Sequence, residues 1–253
     1  MPEHRVALHF HPDWPFRGRL VVEALAGDGR YVSQFVTGTS NGGLTAYEGG
    51  DRWRWESRIF GGRYDDAEPA DRPVYGALLL GDPPDPYGAS VRFGSAHLRL
   101  RPEVTARSTF CWPDSVFEPT EVGGPDRAAE LAALCAGSPA ADPLDHYVEA
   151  HVHGGVRLDE DVEALVLDPS HRGGPVEEAA ARLGCPVEWH PGFRVGTAGL
   201  PEAYRGPEPL ALARALGPVL TPPVVTAAAR SGEHDPQTVK RVWHLLARYG
   251  RAG

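Results

Sequence analysis

Glu149, His151 and His153 fall at every second position of YVEAHVHG (147–154). On a β-strand that spacing turns all three side chains to one face and Val148, Ala150 and Val152 to the other. A carboxylate beside two imidazoles supports two chemistries. It can offset a developing cation and move protons, or it can ligate a metal ion. An edge strand that is wet on one face shows the same alternation.

Other polar groups have candidate roles. His9 and His11 project together from the end of the first apolar run, with Asp13 close behind. The stretch from Thr37 to Gly43 (TGTSNGG) offers small side chains and free backbone N–H groups, and so a nest for an anion or simply a tight turn. It has neither the phosphate-loop lysine nor the GxGxxG of a dinucleotide fold. In DRWRWESRI (51–59), Arg52 and Arg54 alternate with Trp53 and Trp55. Arginine forks suit carboxylate or phosphate, and aromatic faces stack on rings. The same pattern describes a strand with core tryptophans and wet arginines. Asp114 and Ser115 read as structural. Ser115 has no nucleophile elbow around it.

The elements that would position these groups follow from periodicity. Strands are predicted at 5–10, 31–36, 73–80, 96–100, 147–152 and 162–167, with further extended chain in 104–111 and 185–189. Helices are predicted at 20–25, stopped by Gly27 to Gly29, and at 126–135, with Asp126 as cap. Others are predicted at 176–183, 210–216 and 237–249. The last starts from Asp235 as cap, with Pro236 in first position. The three prolines of 216–228 forbid one continuous helix there. Short strands with helices gathered late in the chain predict an α+β fold around a mixed, mainly antiparallel sheet. We expect a single domain over 1–253, with a core at 5–195 and a helical extension at 205–253 packed on it.

The chain has 253 residues and 42% hydrophobic residues, ample for a core. Its net charge of −9 disfavours a main role in binding nucleic-acid backbone. Three scattered cysteines make no disulfide framework. No apolar run has the length of a membrane span. The expectation is a protein without membrane association, cytoplasmic or exported without a signal peptide.

The segments FHPD (10–13), YVSQFVTGTSNGG (31–43), ESRIFGGRYD (56–65), RPVYGALLL (72–80), RFGSAHLRLRPE (92–103), STFCWPDS (108–115) and YVEAHVHG (147–154) together resemble a bacterial family catalogued as a domain of unknown function. More distantly, the order of pieces resembles the ADP-ribosyltransferase fold, including its toxin-like members. That resemblance implies NAD as the substrate and cofactor. His11 would end the first strand and hold the cofactor, 21–29 would be the helix and turn, and 33–40 the hydroxyl-bearing segment. Glu149 would be the catalytic glutamate opening a later strand. Catalytic roles would fall to Glu149, His11 and His151, with His151 as base toward the acceptor. Cofactor contacts would come from His9, Thr37, Gly38, Ser40, Asn41 and Tyr75, and Arg52 or Arg54 would meet the pyrophosphate. The middle motif departs from Ser-Thr-Ser. Tyr147 stands where protein-modifying members carry Gln or Glu, which disfavours arginine modification. The acceptor, a protein, a nucleic-acid base or water, stays open.

Two other classes compete. A metal-dependent hydrolase would use His9, His11, His151, His153 and Asp145. A non-enzymatic binding protein would use none of this chemistry.

Overall fold

The computed structural model describes residues 4–38 and 46–251. Its centre is an eight-stranded sheet: β1 (Arg5–Phe10), β2 (Val74–Leu79), β3 (Ala96–Leu100), β4 (Ser108–Trp112), β5 (Glu121–Gly123), β6 (Glu149–Val152), β7 (Val162–Leu167) and β8 (Val187–Trp189). In space the order is β8-β7-β3-β1-β2-β6-β4-β5. β7 and β8 are parallel, and the other neighbours are antiparallel. The predicted α+β class and mainly antiparallel sheet are therefore found.

The two faces of the sheet differ in chemistry. One carries Val6, Leu8, Leu78, Leu98, Phe110, Val148, Ala150 and Leu165 into a single apolar core. Helices α1 (Val21–Asp28), α3 (Ala128–Gly137) and α4 (Pro175–Ala180) close that core with Val22, Leu25, Leu131, Cys135, Val176 and Ala179. α1 ends as its glycines require. Gly29 caps it in the left-handed region at φ 63°, where a Cβ would be strained.

The opposite face is polar, and two lids share it. Helix α2 (Asp51–Ile59) covers β2, β6 and β4. Helices α5 (Pro207–Leu216), α6 (Pro222–Ser231) and α7 (Pro236–Tyr249) form a second apolar cluster with Tyr87, Val91 and Phe193. Trp243 of α7 anchors that cluster, donating its indole N–H to the Val91 carbonyl at 3.0 Å. Asp235 caps α7 by accepting from the Thr238 N–H at 2.8 Å, with Pro236 in first position. The prolines at 222 and 223 sit in the first turn of α6, where their missing N–H costs nothing.

Four expectations differ, one being the extended chain at 104–111, whose first part is a 3₁₀ helix, Pro102–Arg107, ahead of β4. The strand expected at 31–36 is a two-residue strand at Arg30–Tyr31 followed by a short helix, Gln34–Thr37. The alternating Arg/Trp stretch is helix α2, whose buried face is Arg52, Trp55 and Glu56, spaced three and four apart. Asp126 does not cap α3. It lies inside a 3₁₀ turn, Pro125–Arg127, that leads into the helix. No helix among the described residues is long and apolar enough to cross a membrane.

Candidate active site

Strand pairing assembles the site. Ala77 of β2 faces Glu149 of β6, and Glu149 faces Cys111 of β4. One step along, Tyr75 faces His151, and His151 faces Thr109. Residues directly opposite in antiparallel strands share a face. Glu149, His151, Cys111 and Tyr75 therefore all point to the polar side.

Glu149 is the first residue of its strand and is buried, at 5% exposure. Its Oε1 lies 2.9 Å from His151 Nε2, and its Oε2 accepts from the Ser115 hydroxyl at 3.2 Å. Burial alone would raise its pKa. The His151 hydrogen bond and charge, the Arg52 charge and the Ser115 hydroxyl outweigh it and hold the carboxyl below its ordinary value.

Glu149 lines a narrow cleft with Arg52, Tyr75, Asp114, Ser115, His9 and Gln34 among its walls. The enclosed space is about 50 Å³. Arg52 is 3% exposed. Its guanidinium lies over the Tyr75 ring at 3.9 Å, and its Nε and Nη1 have no hydrogen-bond partner among the described residues. A buried cation with free donors favours an anion. Behind it, Glu56 accepts from the Tyr75 hydroxyl at 3.0 Å and from Arg72 at 2.8 Å. That network fixes the ring on which Arg52 rests.

Asp114 and Ser115 were read from sequence as structural, yet both line this cleft. Asp114 caps the turn 115–117 by accepting from the Val116 N–H at 2.8 Å, and it also accepts from the Tyr147 hydroxyl. Burial, then the neighbouring Glu149 charge, push its pKa up to about 6. The cleft thus holds two carboxylates driven apart, one kept ionised and one protonating near neutrality. The Ser115 hydroxyl lies between them, 3.2 Å from Glu149 and 3.5 Å from Asp114. No sequence spacing announces this trio, because it forms only when β4 pairs with β6.

The remaining candidates are distributed as follows. His9 lines the Glu149 cleft. Its Nδ1 lies 3.2 Å from the Gly94 carbonyl, which can only accept, so Nδ1 carries the proton and Nε2 keeps a lone pair. His11 does not line that cleft. It sits in an adjoining one that shares Tyr31 and Gln34 as walls, stacked 4.1 Å from Trp14 and edge-on to Trp243 at 4.7 Å. Thr37 lines that second cleft, and Gly38 caps its short helix at φ 67°. Ser40 and Asn41 lie outside the described residues.

Arg54 is on the outer side of α2, 70% exposed and 3.6 Å from Asp51. It lines a surface groove that meets the cleft at Ser115, not the cleft itself. His151 has no exposed surface and is ringed by Trp55, Phe60 and Tyr75. It faces Glu149 rather than any acceptor. The set His9, His11, His151, His153 and Asp145 does not converge on one point. His153 is engaged by the Tyr64 hydroxyl at 2.6 Å and Thr109 at 2.8 Å, and Asp145 pairs with Arg92.

The model of the family described as Protein of unknown function (DUF3626) matches residues 5–138 and 135–249. The chain belongs to that family. No curated protein matches it. Among solved structures, Thermus sp. 2.9 DarT in complex with NAD+ is similar, with a TM-score of 0.44 and 10% identity, over 74% of this chain and 94% of that one. At that level of likeness the chemistry has to be read from the site's own residues.

Proposed function

We propose that this member of the family splits NAD at the bond between nicotinamide and ribose and passes ADP-ribose to a macromolecular acceptor or to water. The observation that carries the reading is Glu149: a buried carboxylate held ionised by His151, Arg52 and Ser115 in a cleft where the Arg52 Nε and Nη1 have no partner among the described residues. The reaction builds positive charge on the ribose as nicotinamide leaves with the bonding electron pair. A fixed carboxylate in a low-dielectric site offsets that charge without reorganising.

The other residues divide the remaining work. Arg52 supplies a fork for the pyrophosphate. His9 forms part of the cleft wall. His151 positions Glu149 and supplies the hydrogen bond that keeps it charged. When the new bond forms at the ribose carbon, the acceptor's proton needs a base, and Asp114 is the second carboxylate in reach. With its pKa near 6, Asp114 gives kcat/KM an acid limb there, which Asp114→Asn removes.

The test is to incubate purified protein with NAD and follow nicotinamide release, with and without chelator, adding nucleic acid or protein acceptors in turn. Release that survives chelator supports the reading. NAD that remains intact in every mixture refutes it.

A further inference from the structure

We propose that Cys111, Glu149 and His151 form a three-ligand site for a thiophilic divalent cation of the zinc class, and that filling it silences the site by capturing Glu149. The second half rests on the function proposed above; the first does not.

The geometry comes from the sheet. Cys111 and Glu149 are paired residues on β4 and β6, and His151 is two residues along β6. Cys111 Sγ lies 3.9 Å from Glu149 Oε1, and His151 Nε2 lies 2.9 Å from that same oxygen. The three ligand atoms all fall within 4.8 Å of one another, and all three residues are buried. A tetrahedral zinc ion with bonds near 2.0–2.3 Å holds its ligand atoms about 3.3–3.6 Å apart. The two separations from Glu149 Oε1, 3.9 Å to sulfur and 2.9 Å to nitrogen, bracket that range. The fourth position opens toward the cleft, where Ser115 Oγ or a water can fill it.

The charges also favour the ion. Without metal, the Cys111 thiol makes only a long contact, donating to Glu149 Oε1 at 3.9 Å. A divalent cation with one thiolate and one carboxylate makes a neutral buried unit, which avoids the cost of an uncompensated charge. On binding, the Cys111 proton leaves to solvent as the metal–sulfur bond forms. His151 gives up its Nε2 proton to solvent and keeps the one on Nδ1, freeing the Nε2 lone pair. His151 Nδ1 has no hydrogen-bond partner among the described residues, so no bond is lost there. Sulfur and imidazole select zinc or cobalt over magnesium and calcium, which demand oxygen.

The experiment uses the full chain, stripped with chelator and then titrated with zinc and with cobalt. Equilibrium dialysis gives stoichiometry, and the cobalt form reports sulfur ligation through its thiolate charge-transfer absorption. The expected result is one equivalent bound, with that absorption present. Cys111→Ala should lower affinity at least about 100-fold and abolish the band, while metal-free nicotinamide release stays at the wild-type level. Cys111→Ser and His151→Asn guard against a variant that fails to fold, each checked by its thermal melt. Absence of stoichiometric binding, or cobalt binding unaltered in the folded Cys111 variants, overturns the site. One equivalent bound with the band present, in a chain that never releases nicotinamide, keeps the site and removes the proposed function. Nicotinamide release that zinc leaves untouched at saturation overturns the silencing.

Discussion

Glu149 and His9 lie on the same face of the same sheet, two strands apart, and both line one cleft. At Glu149, charge is preserved. It has an imidazole, a hydroxyl and a guanidinium near it, and its pKa stays low. At His9 and under the C-terminal helices, the imidazole charge is suppressed. His9 is held down to about 4, His11 to about 3 and His244 to about 2, in each case first by burial. His97 and His190 are lowered for the same first reason. The depth of burial is similar in the two halves. What differs is whether the lid brings partners of opposite charge. α2 carries Arg52 on its inner side, whereas the groups acting on His244 are Arg205, Arg92, Lys240 and His11. The first half is arranged for chemistry on a cation, the second for keeping neutral imidazoles packed.

Acid should have the largest effect, and His153 beside α2, held down to about 4 first by burial, adds to it. A histidine whose folded pKa lies below its unfolded value near 6.5 costs stability as pH falls through the interval between them. His9, His11 and His244 share the interval from about 6.5 down to about 4. Each contributes up to about 1.4 kcal/mol per pH unit there, together about 4 kcal/mol per pH unit. Urea midpoints should fall steeply between pH 6.5 and 4, with Trp243 fluorescence following. A flat profile over that range would show that the imidazoles are not neutral and buried together.

Gly88 tests the border between the halves. A Cβ there would lie 2.3 Å from His9 Nε2 and 2.9 Å from His97 Nδ1, at φ +86°. Gly88→Ala should cost about 2 kcal/mol or more of stability from clash and strain, read by thermal melt. It should also disturb the His9 wall of the cleft.

Arg52→Gln probes the charged half alone. Charge-assisted hydrogen bonds contribute about 1.5–3 kcal/mol each. KM for NAD should rise about tenfold or more, with a smaller change in kcat. An unchanged KM would remove Arg52 from the binding role. Asp235→Ala should produce the smallest effect, about 1 kcal/mol from loss of the α7 cap, with nicotinamide release unaltered.

How much of this was legible depends on what kind of contact was needed. Local patterns gave β1, β7 and α7, because alternation at 5–10 and 162–167 and the Asp235–Pro236 start are complete within a few residues. The strand carrying Glu149 was legible for the same reason, although it starts at Glu149 and not at Tyr147. Helix α2 was not, since its inner face is Arg52, Trp55 and Glu56. A buried stripe with two charged residues leaves no hydrophobic period. Asp114 and Ser115 escaped because they meet Glu149 only through strand pairing across more than thirty residues of chain. His151 was legible as a neighbour of Glu149, but its enclosure by Trp55, Phe60 and Tyr75 depends on α2 lying across the sheet.

The central claim is that the Glu149 carboxylate acts on the transition state. Glu149→Gln keeps the size of the side chain and part of its hydrogen bonding while removing the charge. The decisive measurement is nicotinamide release by wild type and Glu149→Gln under saturating NAD, with NAD affinity measured separately by calorimetry. The account predicts a fall in turnover of about 100-fold or more, the loss typical of one electrostatic group aimed at developing charge, with affinity changed little. Turnover by Glu149→Gln equal to wild type would contradict it.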